Sequence, residues 1–205
     1  MMAAYAREEA IIKRVMEGED FHRVTAEIFG VSRKVAKTLN FAILYGAGEE
    51  KLANMLGVSR IEARRLKDRY FMALPKVERL VDQVIGTGRK RGYVINWLGR
   101  KLYAGFNFCY ALPNHLIQGG GADAVKSAMV EIGEKFPQVM MVLQVHDQLV
   151  FDMPPEHYQY IPEIKAIMER QWEKNGMRLE VDVSWSARSF AERDMNKGVP
   201  SASAT

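Results

Sequence analysis

Over the first ninety residues the apolar positions recur every three or four places, the period of amphipathic helices. Residues 1–18 are helix formers throughout, with Met2, Tyr5, Ala6, Ile12 and Met16 on one stripe and Gly18 as a stop. Asp20 is a candidate N-cap for a second helix ending near Gly30, and Ser32 for a third. On that third helix Arg33, Lys37, Phe41 and Tyr45 stand four apart. Each step turns about 400° and drifts only ~40°, so the four share one stripe ~18 Å long. A further helix turns at Gly57 into a basic helix capped by Ser59. Beyond residue 88 the pattern changes. Residues 89–101 read as a short hairpin with basic ends, and 110–128 as a helix interrupted near Gly119 to Gly121. Residues 139–153 (VMMVLQVHDQLVFDM) read as two strands with His146 and Asp147 at the turn. A helix from Tyr158 to Trp172 and a closing strand, LEVDVSWS, complete an α+β fold with antiparallel strands; residues 191–205 are predicted to be a disordered tail.

Composition removes several function classes. At 205 residues, 48% apolar and 26% charged, the chain can bury a proper core. No apolar run approaches the ~20 residues of a membrane span, so no membrane partner is expected. Cys109 is the single cysteine, which excludes an internal disulfide or a cysteine-based zinc site. An intracellular, cytoplasmic protein is the natural expectation. Charge is uneven: residues 33–101 carry 16 Lys or Arg against 6 Asp or Glu, a balance of +10, so the rest sums to −6 within a net +4. A basic middle third favours a polyanionic partner.

The Arg33–Tyr45 stripe suits such a partner. A guanidinium fork and an ammonium one turn apart fit a polyphosphate, and a ring further along offers a base a stacking face. The same spacing also describes a core helix with a solvated basic edge. His22, in the first turn of its helix, stands where phosphates are attracted, or is simply structural. The helix pair around Gly57 also imitates a helix-turn-helix that would read duplex sequence. Asn114 and Gln118 are amides one turn apart. Asp147 at a tight turn suits Mg²⁺, which takes one or two protein carboxylates and keeps its other positions for water and phosphate.

The string R-x3-K-x3-F-x3-Y-G resembles the fingers-helix motif of the family A DNA polymerases, the bacterial DNA polymerase I type and its phage relatives. Other segments resemble the family in the same order: D-x-H at Asp20 to His22, Y-F-x3-P at Tyr70 to Pro75, G-Y-V followed by Gly99, Arg100 and Lys101, N-x3-Q-G from Asn114, and V-H-D at Val145 to Asp147. The resemblance implies a first helix belonging to the palm (1–18), helical fingers (19–88) and palm elements (89–190) with motif C near 139–153. It implies that Arg33, Lys37 and His22 contact the triphosphate, that Phe41 stacks on the incoming base, and that Tyr45 stands at the templating position. Lys37 would also donate a proton to the leaving pyrophosphate. Asn114 and Gln118 would track the primer-terminal pair in the minor groove, where acceptors at every base pair report shape without sequence. Arg100 and Lys101 would approach DNA phosphates, His146 would steady the primer end, and Asp147 would bind Mg²⁺.

Two departures qualify these expectations. Gln148 stands where the family usually has Glu, which should weaken metal attraction. The family's motif A, with the first metal-bridging aspartate, would end just before Met1, and no thumb segment is present. Asp152 and Asp182 stand as candidate substitutes on the expected palm strands: Asp182 on the closing strand could approach, whereas Asp152 is at an odd offset from Asp147 that turns it to the opposite face of a straight strand. The expectation is a C-terminal part of a polymerase acting on primer-template DNA and deoxynucleoside triphosphates in a bacterial cell or phage-infected host. It would be inactive alone and completed by an upstream polypeptide carrying motif A and thumb. The rival readings are a non-catalytic nucleic-acid-binding module and a helix-turn-helix DNA-binding protein.

Overall fold

Side-chain caps set the boundaries of the helices that carry the stripe. Asp20 Oδ1 accepts from the Arg23 amide at 2.8 Å and starts one helix; Ser32 Oγ accepts from the Val35 amide at 3.3 Å and starts the next. Gly30, at φ 63°, ends the first, a left-handed conformation that favours glycine. In the computed structural model, which describes residues 1–200 apart from the side chains of 193–195, these helices are α3 (Phe21–Phe29) and α4 (Arg33–Leu44). Before them come α1 (Met2–Ala6) and α2 (Glu9–Met16). After them come α5 (Glu49–Leu56), α6 (Arg60–Ala73), α7 (Pro75–Arg91), the hairpin β1 (Tyr93–Ile95) and β2 (Lys101–Tyr103), and α8 (Leu112–Lys135). The chain continues through the hairpin β3 (Met140–Val145) and β4 (Gln148–Asp152), helix α9 (Ile161–Arg170), and strands β5 (Ser184–Trp185) and β6 (Asn196–Lys197). The three strand pairs are separate antiparallel ladders, so the fold is α+β with helices dominant. No helix among the described residues is long and apolar enough to cross a membrane.

Two compact units divide the chain, residues 1–120 and 121–205. In the first, one core gathers Val24 and Phe29 of α3, Leu39 and Ile43 of α4, Leu52 of α5, Leu66 and Tyr70 of α6, and Val77 of α7. The α5–α6 pair, with Gly57 at φ 67° and Ser59 capping α6, buries its inner face in that core. A neighbouring cluster joins Val84 of α7, Val94 of β1, Cys109, and Leu112 and Leu116 of α8. In the second unit Ala128 and Ile132 of α8 pack with Ile164 and Ile167 of α9, and with Met141, Leu149 and Phe151 of the β3–β4 hairpin.

The structure differs from the sequence reading in several places. Residues 1–18 form two helices, because Arg7 turns left-handed at φ 56°. The break is held from α7: Glu8 Oε1 accepts from the Lys76 amide at 2.9 Å, and Lys76 Nζ donates to the Arg7 carbonyl at 2.8 Å. Met16, expected on the buried stripe, is exposed. Helix α8 runs unbroken through Gly119 to Gly121 instead of stopping there. A Cβ at Gly119 would stand 3.1 Å from Leu102, and the Trp97 indole donates to the Gly120 carbonyl at 3.0 Å, so small residues suit this part of the helix. The closing strand shrinks to Ser184–Trp185 and pairs with Asn196–Lys197, inside the segment expected to be a disordered tail; residues 201–205 of that tail lie outside the described residues. Asp182 is exposed and belongs to no strand.

Candidate active site

Helix α4 turns one face into the core through Ala36, Leu39, Asn40, Ala42 and Ile43, which leaves Arg33, Lys37, Phe41 and Tyr45 outward on a single exposed stripe. The rings of Phe41 and Tyr45 are 6.4 Å apart, centroid to centroid. Tyr45 stands at the C-cap and Gly46, at φ 63°, turns the chain away. Arg33 is not solitary. Its Nε donates to Asp20 Oδ1 at 2.9 Å and its second nitrogen to Asp20 Oδ2 at 2.8 Å, a two-pronged ion pair. The Arg33 guanidinium, with the Arg23 amide, holds the Asp20 carboxyl down at about 2, and the same pair raises the Arg33 pKa. The Lys37 side chain makes no ion pair or hydrogen bond among the described residues.

Behind the stripe lies a polar network that fixes His22. The Thr25 hydroxyl has one proton and directs it to the Phe21 carbonyl at 3.0 Å, so it must accept from Asn40 Nδ2 at 2.8 Å. That sets the Asn40 amide, whose Oδ1 then accepts from the Tyr70 hydroxyl at 3.0 Å. Asn40 Nδ2 also lies 3.0 Å from His22 Nδ1. An amide nitrogen only donates, so Nδ1 is the unprotonated acceptor and Nε2 carries the hydrogen. Burial lowers the His22 pKa, which keeps the ring neutral near pH 7, and burial also pushes the Tyr70 phenol up, so it remains a donor. The His22 ring sits 5.7 Å from Phe41. A neutral imidazole with Nε2–H thus stands beside the stripe.

The other residues of the first unit lie on α8 and the β1–β2 hairpin. Asn114 is half-buried, with an Oδ1 that has no partner among the described residues, and Gln118 one turn on is exposed. Ile117, between them in sequence, packs against the core that holds Leu39 and Ile43 of α4. Arg100 and Lys101 are exposed at the hairpin. The buried Asn96 shapes their turn by accepting from the Leu98 and Arg100 amides at 3.1 and 3.0 Å. In the second unit His146 and Asp147 occupy the two-residue turn between Val145 and Gln148, which pair across it. His146 has φ 53°, and its carbonyl accepts from Gln144 Nε2 at 2.6 Å. Asp147 is exposed, a hard oxygen donor of the kind Mg²⁺ takes. Among the described residues no three His, Cys, Asp or Glu side chains gather as a metal site, so Asp147 fits as one ligand and not as a complete set.

The family model for DNA polymerase family A matches residues 1–192. The chain belongs to DNA polymerase family A. Similar curated proteins include the thermostable DNA polymerase I of Thermus thermophilus, 33% identical over 208 residues covering 89% of this chain and 24% of that protein. The DNA polymerase of Mycobacterium phage L5 is 31% identical over 154 residues, covering 75% and 26%. Among solved structures, the polymerase domain of Pol1 from M. smegmatis, complexed with DNA primer-template and dNTP, matches with a TM-score of 0.73 at 26% identity. That match covers 83% of this chain and 34% of the other. The chain spans about a quarter of the length of the curated relatives it matches.

Within this family A chain, the stripe, His22, Asn114, Gln118, Arg100 and Lys101 fall in the first unit, and His146 and Asp147 in the second. Sequence reasoning passed over Asn40, and named Asp20 and Tyr70 only as a cap and as motif positions without the contacts by which they organise the site. Asn40 and Tyr70 hold His22, and Asp20 engages Arg33 besides capping α3. The signal for Asn40 was present: an amide on the buried face of an amphipathic helix needs partners.

Proposed function

We propose that this chain forms the nucleotide-gripping, primer-terminal and motif C parts of a template-directed DNA polymerase, with fingers over residues 19–88 and palm elements over 1–18 and 89–190. The observation that carries the reading is the exposed stripe of α4, two cations followed by two rings, in a chain of family A. Arg33, Lys37 and His22 Nε2–H bind the triphosphate of a deoxynucleotide; Phe41 stacks on its base, and Tyr45 stands by the templating base. Asn114 and Gln118 follow the terminal pair from the minor groove, Arg100 and Lys101 take backbone phosphate, and His146 steadies the primer end. The primer 3′ hydroxyl loses its proton to solvent and its oxygen bonds to the α-phosphorus as the bond to pyrophosphate breaks, and Lys37 gives the leaving oxygen a proton. Mg²⁺, held in part by Asp147, would supply Lewis-acid stabilisation of charge on the entering and leaving oxygens. Gln148 would add no charge there, so the metal would be held more weakly than by a carboxylate pair. A second carboxylate is needed, and we assign it to polypeptide outside these 205 residues.

The test is primer extension in Mg²⁺ by the purified chain beside Asp147→Ala, together with dNTP binding to chain and primer-template. Expected are dNTP binding weakened ~10- to 100-fold in Lys37→Ala, no extension by the chain alone, and extension once a polypeptide carrying the missing aspartate is added. Extension by the chain alone, lost in Asp147→Ala, would place the second carboxylate within this sequence. Absence of dNTP binding, with sequence-selective duplex binding instead, would favour the helix-turn-helix reading of α5 and α6.

A further inference from the structure

The aromatic residues of the first unit do not stop at Tyr45. The segment Phe106–Ala111, one short 3₁₀ stretch before α8, comes against the end of α4. A Cβ on Gly46 would stand 2.7 Å from the Tyr110 carbonyl oxygen and 3.2 Å from the Tyr110 ring, so only a glycine permits this approach. The Tyr110 ring lies 6.3 Å from that of Phe108. Tyr45, Tyr110 and Phe108 are 47%, 48% and 62% exposed, while Cys109 between the last two is buried and anchors the segment. Phe41 and Tyr45 on one side of Gly46 are thus followed, on the other, by two more uncovered rings.

The electrostatic setting favours one kind of occupant. Residues 83–122 contain five Lys or Arg and no Asp or Glu. Lys101, five residues before the start of this segment, already lies over a ring, its Nζ 4.8 Å from the centre of Tyr93. Exposed rings that follow a run of cations in the chain are the composition of a single-strand platform, since every base has a stacking face and every linkage a phosphate.

We propose that Tyr110 and Phe108 form a stacking site for unpaired bases of a single strand, continuing the stripe that ends at Tyr45. Its assignment to the template overhang, ahead of the pair being formed, rests on the polymerase reading; the stacking site itself does not.

The experiment is fluorescence anisotropy of the full chain with a labelled duplex, blunt or carrying 5′ overhangs of increasing length, and with labelled oligothymidylate. Phe108→Ala is the variant, Phe108→Trp the conservative control, and Lys37→Ala the comparison. Expected is tighter binding as the overhang lengthens, reduced roughly 5- to 150-fold in Phe108→Ala, restored in Phe108→Trp, and unaltered on the blunt duplex. Phe108 is largely exposed, so thermal unfolding should be unchanged by its truncation. An overhang dependence identical in wild type and Phe108→Ala, or absent from the wild type, would overturn the proposal. So would a dimer in sedimentation that Phe108→Ala dissociates while single-strand binding persists, since the rings would then be a protein interface. Failure of the polymerase reading is read separately, as no effect of Lys37→Ala on dNTP binding with oligothymidylate binding intact.

Discussion

Replacing Tyr70 with Phe removes one oxygen atom from the core and leaves the shape almost unchanged. Tyr70 is fully buried, and its hydroxyl is the donor to Asn40 Oδ1 at 3.0 Å; Asn40 is itself only 4% exposed. The substitution strands a buried amide oxygen, which costs ~1–3 kcal/mol, whereas loss of a solvent-compensated hydrogen bond costs ~1 kcal/mol. For a chain of this size that lowers the melting temperature by about 2–10 °C. A second effect follows from the network. Asn40 presents Nδ2 to both Thr25 and His22 Nδ1, and without its Oδ1 anchor the amide can rotate and release the imidazole from the Nε2–H tautomer. Affinity for dNTP should therefore fall several-fold although Tyr70 lies in the core, and the fall should shrink in a His22→Ala background. Calorimetry gives the first readout and titration of dNTP the second. A Tyr70→Phe chain that melts within 1 °C of wild type would refute the reasoning, because it would mean that Asn40 Oδ1 does not depend on the phenol. A melting shift with an undiminished effect on dNTP in the His22→Ala background would confine the network to stability.

Asp20→Asn keeps an N-cap for α3 but removes the charge that engages Arg33. Affinity for dNTP at low salt should rise two- to tenfold, and a fall would show that Asp20 positions Arg33 for the nucleotide instead of competing for it. Asp20 also sets an acid dependence: its folded pKa of about 2 lies below the unfolded value of ~3.9, so its contribution is present above pH ~4 and lost as pH falls toward about 2. The pair is more than one-third exposed and screened, so melting curves of wild type and Asp20→Asn should converge over that window by no more than ~1 kcal/mol. Gly88→Ala should destabilise by ~1–3 kcal/mol despite alanine's better helix propensity, since the new Cβ would stand 2.0 Å from Cδ1 of the fully buried Leu112; urea unfolding with an unchanged slope checks this.

Where an element begins was legible wherever a side chain next to the boundary supplies the missing partner. Asp20, Ser32 and Ser59 cap their helices, and Gly30 and Gly57 end theirs, because the interaction is local and the residue types are few. The α4 stripe was legible for the same reason: a four-residue spacing places Arg33, Lys37, Phe41 and Tyr45 on one face whatever that helix packs against. The β3–β4 turn at His146 and Asp147 likewise follows from the strand-forming runs on either side of it. Tertiary structure decided what depends on distant residues. Arg7 turns left-handed where Lys76, sixty-nine positions away, donates to its carbonyl oxygen. Helix α8 passes through Gly119 with Leu102 of β2 packed 3.1 Å from where a Cβ would stand, a contact that helix propensity, with its ~1 kcal/mol cost per glycine, does not register. Ser184 and Trp185 pair with Asn196 and Lys197, a register no alternation of types announces over two residues. The engagements of Arg33 by Asp20, of His22 by Asn40 and of Asn40 by Tyr70 span 13, 18 and 30 positions. Sequence pattern reports which residues share a face; which face meets which is set by burial and by the partners that buried polar groups require.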